Sequence, residues 1–94
     1  MAATLGKAMQ ALENAFPDGF DCPVRFEITD LGSLMLDSEG VRQGHEDAVC
    51  VMRADSEVFA DILSGRADAM KLFFSGRLRI EGEIGAAMRL GRSL

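Results

Sequence analysis

The residues best suited to chemistry in this 94-residue chain are its cysteines, its one histidine and its serines. Cys22 and Cys50 lack the C-x-x-C spacing of a zinc or redox site, and His45 lies in a turn-like Gly-His-Glu-Asp stretch. The serines share that single histidine, and the sequence has no G-x-S-x-G motif, so a hydrolase would have no visible base. The sequence therefore predicts no metal site and no nucleophilic catalysis.

The acidic residues and glycines do not supply an alternative catalytic centre. Asp30, Asp55 and Asp68 stand where turn or N-cap residues are expected, so paired carboxylates for acid/base work are not indicated. The run Gly-Glu-Ile-Gly at 82–85 is neither a G-x-G-x-x-G motif nor a P-loop. Glu83 would repel phosphate but suits the positive end of a helix. We therefore expect no enzyme activity and no bound cofactor.

The charge is acidic overall but unevenly distributed. A net charge of -5 and a pI near 4.7 argue against nucleic acid as a partner, because phosphate binding depends on clustered Lys and Arg. Residues 1–64 hold 4 basic and 12 acidic side chains, whereas residues 65–94 hold 6 basic and 3 acidic ones, a net +3. Two hypotheses fit Arg77, Arg79, Arg89 and Arg92: contact with an anionic membrane surface, or a solvated face paired with the chain's own acids.

Length and hydropathy predict one small domain over residues 1–94. Residues 1–10 carry Lys7 in place of a continuous apolar segment, so no signal peptide is predicted, and we expect a cytoplasmic protein with reduced cysteines. The longest strictly apolar run, 48–52, is far shorter than the roughly 18 residues that a membrane span needs.

The sequence of the first half of the chain predicts a helix followed by four strands. Thr4 is a candidate N-cap, and Leu5, Met9, Leu12 and Phe16 follow at helical spacing. Residues 22–29 alternate between apolar and polar side chains, and strands over 33–37, 41–43 and 48–53 complete an expected antiparallel meander. The run at 48–52 is apolar on both faces, which is typical of a central strand or of one that faces a ligand.

The second half predicts two helices, a strand and a last helix. Asp55 or Ser56 caps the first of these helices, Asp68 caps the second, and Gly65 and Gly76 end them. A strand over 77–81 and a helix over 83–92 follow. The predicted order is therefore α-β-β-β-β-α-α-β-α, an α+β fold with helices over the sheet.

Methionine and phenylalanine are numerous among the apolar residues of the chain. The chain has 6 Met and 6 Phe but no Tyr or Trp. Methionine adapts to irregular space and variable partners, yet a Met or Phe stripe at helical spacing is usually core. Periodicity does not distinguish a packed core from a lipid cavity.

The stretch 54–90 carries specific motifs. These are Ala-Asp-Ser at 54–56, Gly-Arg at 65–66, Phe-Phe-x-Gly-Arg-Leu-Arg-Ile-x-Gly at 73–82 and Ala-Met-Arg-Leu at 87–90, and Phe-x-Ile-Thr-Asp at 26–30 precedes them. In content, order and spacing they resemble the sterol carrier protein 2 family of lipid-binding domains. The resemblance implies a five-stranded, mainly antiparallel sheet covered by about four helices around an apolar tunnel. It also implies carriage of a hydrophobic ligand without catalysis.

The resemblance and the apolar pattern together give a predicted ligand-binding set. Its members are Phe26, Met52, Phe59, Leu63, Met70, Phe73, Phe74, Leu78, Ile80, Ile84, Ala87, Met88 and Leu90. Gly76 and Gly82 are expected to shape the ends of the strand between them.

Departures from the family pattern bear on the ligand. Ala69 stands where Pro is frequent, Glu83 where Asp or Asn is common, and Ala86 where a larger residue is usual. We therefore expect a fatty acid, a phospholipid or an isoprenoid quinone precursor ahead of a sterol-like molecule, which stays among the expected ligands. The alternative hypothesis is an accessory module with a filled interior, which forms a homodimer or binds an enzyme of lipid or quinone biosynthesis.

Overall fold

The order of helices and strands agrees with the prediction. A computed structural model describes residues 4–92 and assigns them to α1 (Leu5–Ala15), β1 (Val24–Ile28), β2 (Gly32–Asp37), β3 (Gly40–Gln43), β4 (Cys50–Ala54), α2 (Ser56–Leu63), α3 (Ala69–Phe74), β5 (Arg79–Gly82) and α4 (Ile84–Arg92). Both the α+β class and the predicted order are confirmed. Within this part of the chain, no helix is long and apolar enough to cross a membrane.

Short polar side chains start three of the helices, as predicted. The Thr4 Oγ1, Asp55 Oδ1 and Asp68 Oδ1 atoms accept backbone N–H bonds at the first turns of α1, α2 and α3, at 3.2, 2.9 and 2.9 Å. Ser56, the alternative cap, instead donates its N–H and its hydroxyl to the Asp30 carboxylate, at 2.9 and 2.6 Å. That pair of bonds ties α2 to the turn after β1.

The sheet has the order β3-β2-β1-β4-β5. Three of its four pairings are antiparallel, which confirms a mainly antiparallel sheet, but β4 runs parallel to β1. The expectation that β4 continues the meander beside β3 is therefore wrong. A strand that is apolar on both faces is best buried in the interior of a sheet, and the place between β1 and β5 provides that burial.

The segment between β3 and β4 crosses the sheet face that the helices leave uncovered. Arg25 Nη1, on that face, donates to the Glu46 carbonyl at 2.8 Å, and Arg42 Nη2 reaches the Glu46 carboxylate at 2.9 Å. Gly44 lies against Met35, whose side chain is only 1% exposed. This face is therefore covered by residues 44–46 and by the aliphatic stems of arginines.

The main core lies between the other face of the sheet and the helices. Alternate residues of β1, β2 and β4 point into it, because strand side chains alternate between the two faces. Its largest members are Leu12, Phe16, Val24, Phe26, Ile28, Leu34, Leu36, Met52, Val58, Phe59, Ile62, Leu78 and Leu90.

The last strand, β5, begins two residues later than predicted, but its side chains point to the predicted faces of the sheet. Ile80 pairs with Met52 on the core side, while Arg79 and Glu81 point to the other side. Gly82 has φ +87°, and a side chain there would collide with the Val49 carbonyl. A glycine is therefore required where β5 turns into α4, as the resemblance implied.

Candidate ligand-binding site

A groove opens between the α2–α3 loop, the start of α3 and the end of α4. Its volume is about 490 Å³, within the range of roughly 300–1,000 Å³ typical of small-molecule pockets. The lining residues are Ile62, Gly65, Arg66, Ala67, Asp68, Ala69, Met70, Ala87, Met88, Gly91 and Arg92. We call this space the α3–α4 groove.

Backbone hydrogen bonds fix the loop that forms one wall of the groove. The Arg66 and Ala67 N–H groups both donate to the Asp61 carbonyl, at 2.9 and 3.1 Å, so the chain folds back after α2. Gly65 allows this reversal with φ +79°. Asp68 then caps α3, which places Met70 at the groove.

The groove combines an apolar floor with a basic rim. Ile62 and Ala87 are buried, Met70 is half-buried, and Met88 is 45% exposed. Arg66 and Arg92 are exposed at the edge of the same space. This arrangement suits a hydrocarbon tail with a polar or anionic end.

A second, smaller recess lies between α1 and α2, with a volume of about 240 Å³. It is lined by Thr4, Lys7, Ala8, Ala11, Ile28, Leu31, Ser56, Phe59, Ala60 and Leu63. Its size falls below the usual range for ligand pockets, so we take the α3–α4 groove as the principal candidate.

The structure distributes the predicted ligand-binding set over four environments: the groove, the smaller recess, the core and the surface. Met70, Ala87 and Met88 line the α3–α4 groove, and Phe59 and Leu63 line the smaller recess.

The remaining predicted residues lie in the core or at the surface. Phe26, Met52, Leu78 and Leu90 are buried in the core, and Ile80 packs against it. Phe73 is half-buried, whereas Ile84 is 43% exposed and Phe74 80% exposed. The described residues do not form a single cavity lined by the whole predicted set. That the members of the set contact a ligand stays a prediction.

Sequence reasoning missed the small residues that make room for the groove. Ala67, Ala69 and Gly91 border it because their side chains are short. Periodicity marks where apolar side chains point but gives no signal for space left between two helices. Ile62 was detectable, since it lies three residues after Phe59 on the same side of α2.

The four arginines proposed for a membrane surface do not form one patch. Arg89 pairs with Asp21 (Nη1–Oδ2 3.3 Å) and lies over the Phe20 ring at 5.7 Å, as the hypothesis of pairing with the chain's own acids expects. Arg79 lies beside Arg53 on the sheet face opposite the helices. Arg92 borders the groove, and Arg77 lies three residues after the end of α3.

The two cysteines and the Ser33–His45 pair lie outside both cavities, and Ser56, which lines the smaller recess, donates its hydroxyl to Asp30. The Ser33 hydroxyl is 3.3 Å from His45 Nδ1 at an exposed position. Burial raises the pKa of the Cys50 thiol to about 11, and it also raises the pKa of Cys22, so both are thiols rather than thiolates at neutral pH. Residues 4–92 include no group of three or more side chains placed to hold a metal ion.

A family model described as the SCP-2 sterol transfer family matches residues 8–94. The chain belongs to this family. The predicted resemblance is thereby confirmed, and with it the assignment to a family of lipid carriers.

Solved structures show the same fold. Sterol carrier protein domain 2 of Helicoverpa armigera is 23% identical with a TM-score of 0.73, covering 92% of this chain and 81% of that one. The UbiJ-SCP2 ubiquinone synthesis protein is 22% identical with a TM-score of 0.63, covering 95% and 80%. Palmitated SCP2L2 from Aedes aegypti is 10% identical with a TM-score of 0.67, covering 96% and 93%. A search of curated proteins found no match.

Proposed function

We propose that this domain binds the hydrocarbon tail of a fatty acid, phospholipid or isoprenoid in the α3–α4 groove and carries it without chemical change. The observation that carries the proposal is the groove itself, about 490 Å³ with Ile62, Met70, Ala87 and Met88 in its lining. Membership of the SCP-2 sterol transfer family supports lipid binding or transfer as the general activity.

Burial of apolar surface is sufficient to drive such binding. Each methylene removed from water contributes about 0.8 kcal/mol, so ten would give roughly 8 kcal/mol before the costs of association. Met70 and Met88 have flexible, polarizable side chains that adapt to different ligand shapes. We therefore expect affinity for several lipid classes.

The preference for an acyl chain has support from a structural relative. The Aedes aegypti protein is described as palmitated, and it has this fold at 10% identity. Likeness at that level supports only the fold, so an acyl ligand for this chain is part of our proposal.

Two glycines of α4 provide a matched test. A Cβ at Gly85 or Gly91 would meet no atom within 4 Å, but only Gly91 lines the groove. Leucine at position 91 would therefore fill the groove without disturbing the core. We expect Gly91→Leu to weaken binding of a fluorescent fatty acid at least tenfold, about 1.4 kcal/mol, and Gly85→Leu to preserve it.

Native mass spectrometry of freshly purified protein is a second measurement, and we expect it to detect co-purified lipid. Equal loss of fatty acid binding in both glycine variants would place the ligand outside the groove. Failure of the wild-type protein to bind fatty acid, phospholipid and isoprenoid probes would refute the proposal.

A second candidate function is that of an accessory module for an enzyme of quinone or lipid biosynthesis. It is favoured by the likeness to the UbiJ-SCP2 ubiquinone synthesis protein and by the filled core around Phe26, Met52 and Leu78. Under this hypothesis, Phe73→Ala would leave lipid binding unchanged, and light scattering would detect a stable homodimer or enzyme complex. Under the carrier hypothesis, the protein binds lipid as a monomer.

A further inference from the structure

The largest apolar side chain left in solvent belongs to Phe74, at the end of α3. It is 80% exposed and contacts the half-buried Phe73 ring, with centroids 5.7 Å apart. Single exposed apolar residues are common on protein surfaces, whereas a contiguous apolar patch marks an interaction site. The surroundings of Phe74 therefore decide its meaning.

Phe74 continues the apolar lining of the α3–α4 groove toward the protein surface. It lies four residues after Met70, so both are on one side of α3. Ile84 likewise lies four residues before Met88 on α4, and α3 packs against α4. Phe74, Ile84 and Met88 are each more than 40% exposed. Met70 and Met88 line the groove, and Phe74 lies on the same side of α3 as Met70, so we call these three residues the apolar mouth.

Basic side chains stand around this mouth. Lys71 lies three residues before Phe74 on α3 and is exposed. Arg77 is also exposed, and its backbone N–H bonds to the Leu72 carbonyl at 2.9 Å, so it lies within one turn of Phe74. Arg66 and Arg92 line the groove itself.

Few acids oppose these cations. Of the three in residues 65–94, Asp68 lines the groove but its carboxylate caps α3, Glu81 lies on the other face of the sheet, and Glu83 precedes α4. Asp61 approaches Arg66 only at 3.7 Å between Oδ1 and Nε, with both groups exposed. The mouth therefore carries net positive charge on a protein that is acidic overall.

The acids across the sheet from this mouth are neutralised by arginines. Glu27 and Asp37 lie on the sheet face opposite the helices and Glu46 in the segment that crosses it, and all three are paired with arginines at 2.8–2.9 Å. The protein measures 31 × 30 × 21 Å, whereas exposed charges are screened within about 8 Å at physiological ionic strength. An anionic surface near the groove would therefore respond mainly to the basic mouth.

We infer that this mouth docks on the headgroup layer of an anionic phospholipid bilayer, with Phe74 inserted among the lipids and Lys71 and Arg77 contacting phosphates. The charge complementarity and the single protruding aromatic ring favour a bilayer over a second copy of this acidic chain. Docking would place the groove opening against the source of its ligand. Lipid carriage in the groove is not needed for docking itself, so the two proposals can fail separately.

Tryptophan substitution provides a direct readout because the chain contains no tryptophan. In Phe74→Trp, we expect a blue shift and protection from an aqueous quencher when vesicles of phosphatidylcholine and phosphatidylglycerol are added. Pure phosphatidylcholine vesicles should give a much smaller change. Gln43→Trp, at an exposed position on the far edge strand β3, should show neither effect.

Vesicle co-sedimentation tests the contributions of the side chains. Phe74→Ser should weaken partition onto the anionic vesicles about tenfold, since burial of a Phe side chain is worth more than 1.4 kcal/mol. Lys71→Gln and Arg77→Gln should each weaken it about fivefold, which corresponds to about 1 kcal/mol per cation near the surface. Lys7→Gln removes the same charge from α1 and should have little effect.

Three results would overturn the inference: no partition of the wild-type protein onto anionic vesicles, equal partition of Phe74→Ser, or a dimer that Phe74→Ser dissociates while vesicles stay unbound. The fatty acid probe, measured without vesicles, separates the two proposals. Lys71→Gln, at a position outside the groove lining, should still bind it. A wild-type protein that binds vesicles but no probe would refute only the carrier proposal.

Discussion

The two faces of the sheet carry different chemistry from the same strands. On β1, Val24, Phe26 and Ile28 face the helices, whereas Arg25 and Glu27 face the opposite side. The first face is covered by amphipathic helices. The second, which we call the charged face, is covered by residues 44–46 and by arginines in ion pairs. Cavities form where helix meets helix, and neither of the two described recesses lies on the charged face. The space that could hold a ligand therefore lies in the layer of helices, where packing is looser.

Removal of a core side chain on the helical face should have the largest effect. Phe26 is buried and packs edge to face on Phe59, with ring centroids 5.6 Å apart. We expect Phe26→Ala to lower the free energy of unfolding by about 3–5 kcal/mol in urea denaturation. Phe26→Leu, a milder change, keeps the measurement possible if the alanine variant does not fold.

Phe74→Ala is the control for this prediction, because the same residue type is exposed at position 74. Its stability should stay within about 0.5 kcal/mol of the wild-type value. A small loss for Phe26→Ala, together with a loss of fatty acid binding, would instead assign Phe26 to a ligand cavity.

Substitution of Met35 tests whether the charged face is simply exposed to solvent. The side chain is 1% exposed although its neighbours across the sheet are Arg25 and Arg42. We expect Met35→Ala to cost about 2–4 kcal/mol of stability, because the crossing segment and the arginine stems hold a small second core. A cost below about 1 kcal/mol would mean that residues 44–46 open readily and leave this face solvated.

Glu27 should give a smaller, pH-dependent effect. Partial burial acts to raise its pKa, but hydrogen bonds from Arg53 and Arg25 outweigh burial and hold the pKa below the usual 4.5. The unfolded chain therefore binds the proton more tightly. The stabilisation is present above the unfolded-state pKa and is lost as pH falls through the lower folded-state pKa.

Glu27→Gln should cost about 1 kcal/mol at neutral pH and reduce the loss of stability between pH about 6 and 3. Urea denaturation at several pH values measures both effects. Glu13→Gln, at an exposed position on α1, is the matched control and should behave as wild type. Equal behaviour of the two variants would show that the ion pairs of the charged face contribute nothing measurable.

Local sequence signals were enough to predict the helices and strands, but not which strands lie next to each other in the sheet. Asp55 and Asp68 reveal helix starts because a cap satisfies backbone groups within three residues. Alternation over 24–28 reveals a strand and its inward face. The position of β4 depends instead on whether β1 or β3 offers the better burial, a choice between distant segments that no local pattern contains.

The candidate site was predicted only in part for a related reason. Ala87 and Met88 are adjacent on α4 and both line the groove, but Ala87 is buried in the core whereas Met88 is 45% exposed. Helical periodicity predicts that their environments differ. It does not predict that α3 stands far enough from α4 to leave a groove, because that distance depends on packing by both helices against the sheet.

Cys50 offers the finest test of where ligand enters. The thiol is 0% exposed on the helical face, and the Ala87 backbone of α4 hydrogen-bonds with it. Since burial raises its pKa to about 11, reaction with a disulfide reagent at neutral pH requires local opening. In a Cys22→Ser background, we expect slow modification that becomes severalfold slower when a fatty acid occupies the groove and restrains α4. Gly91→Leu in that background should abolish the dependence on ligand. Faster modification with fatty acid bound would mean that the tail separates α4 from the sheet and lies in the core, as in the tunnel that the sequence resemblance implied.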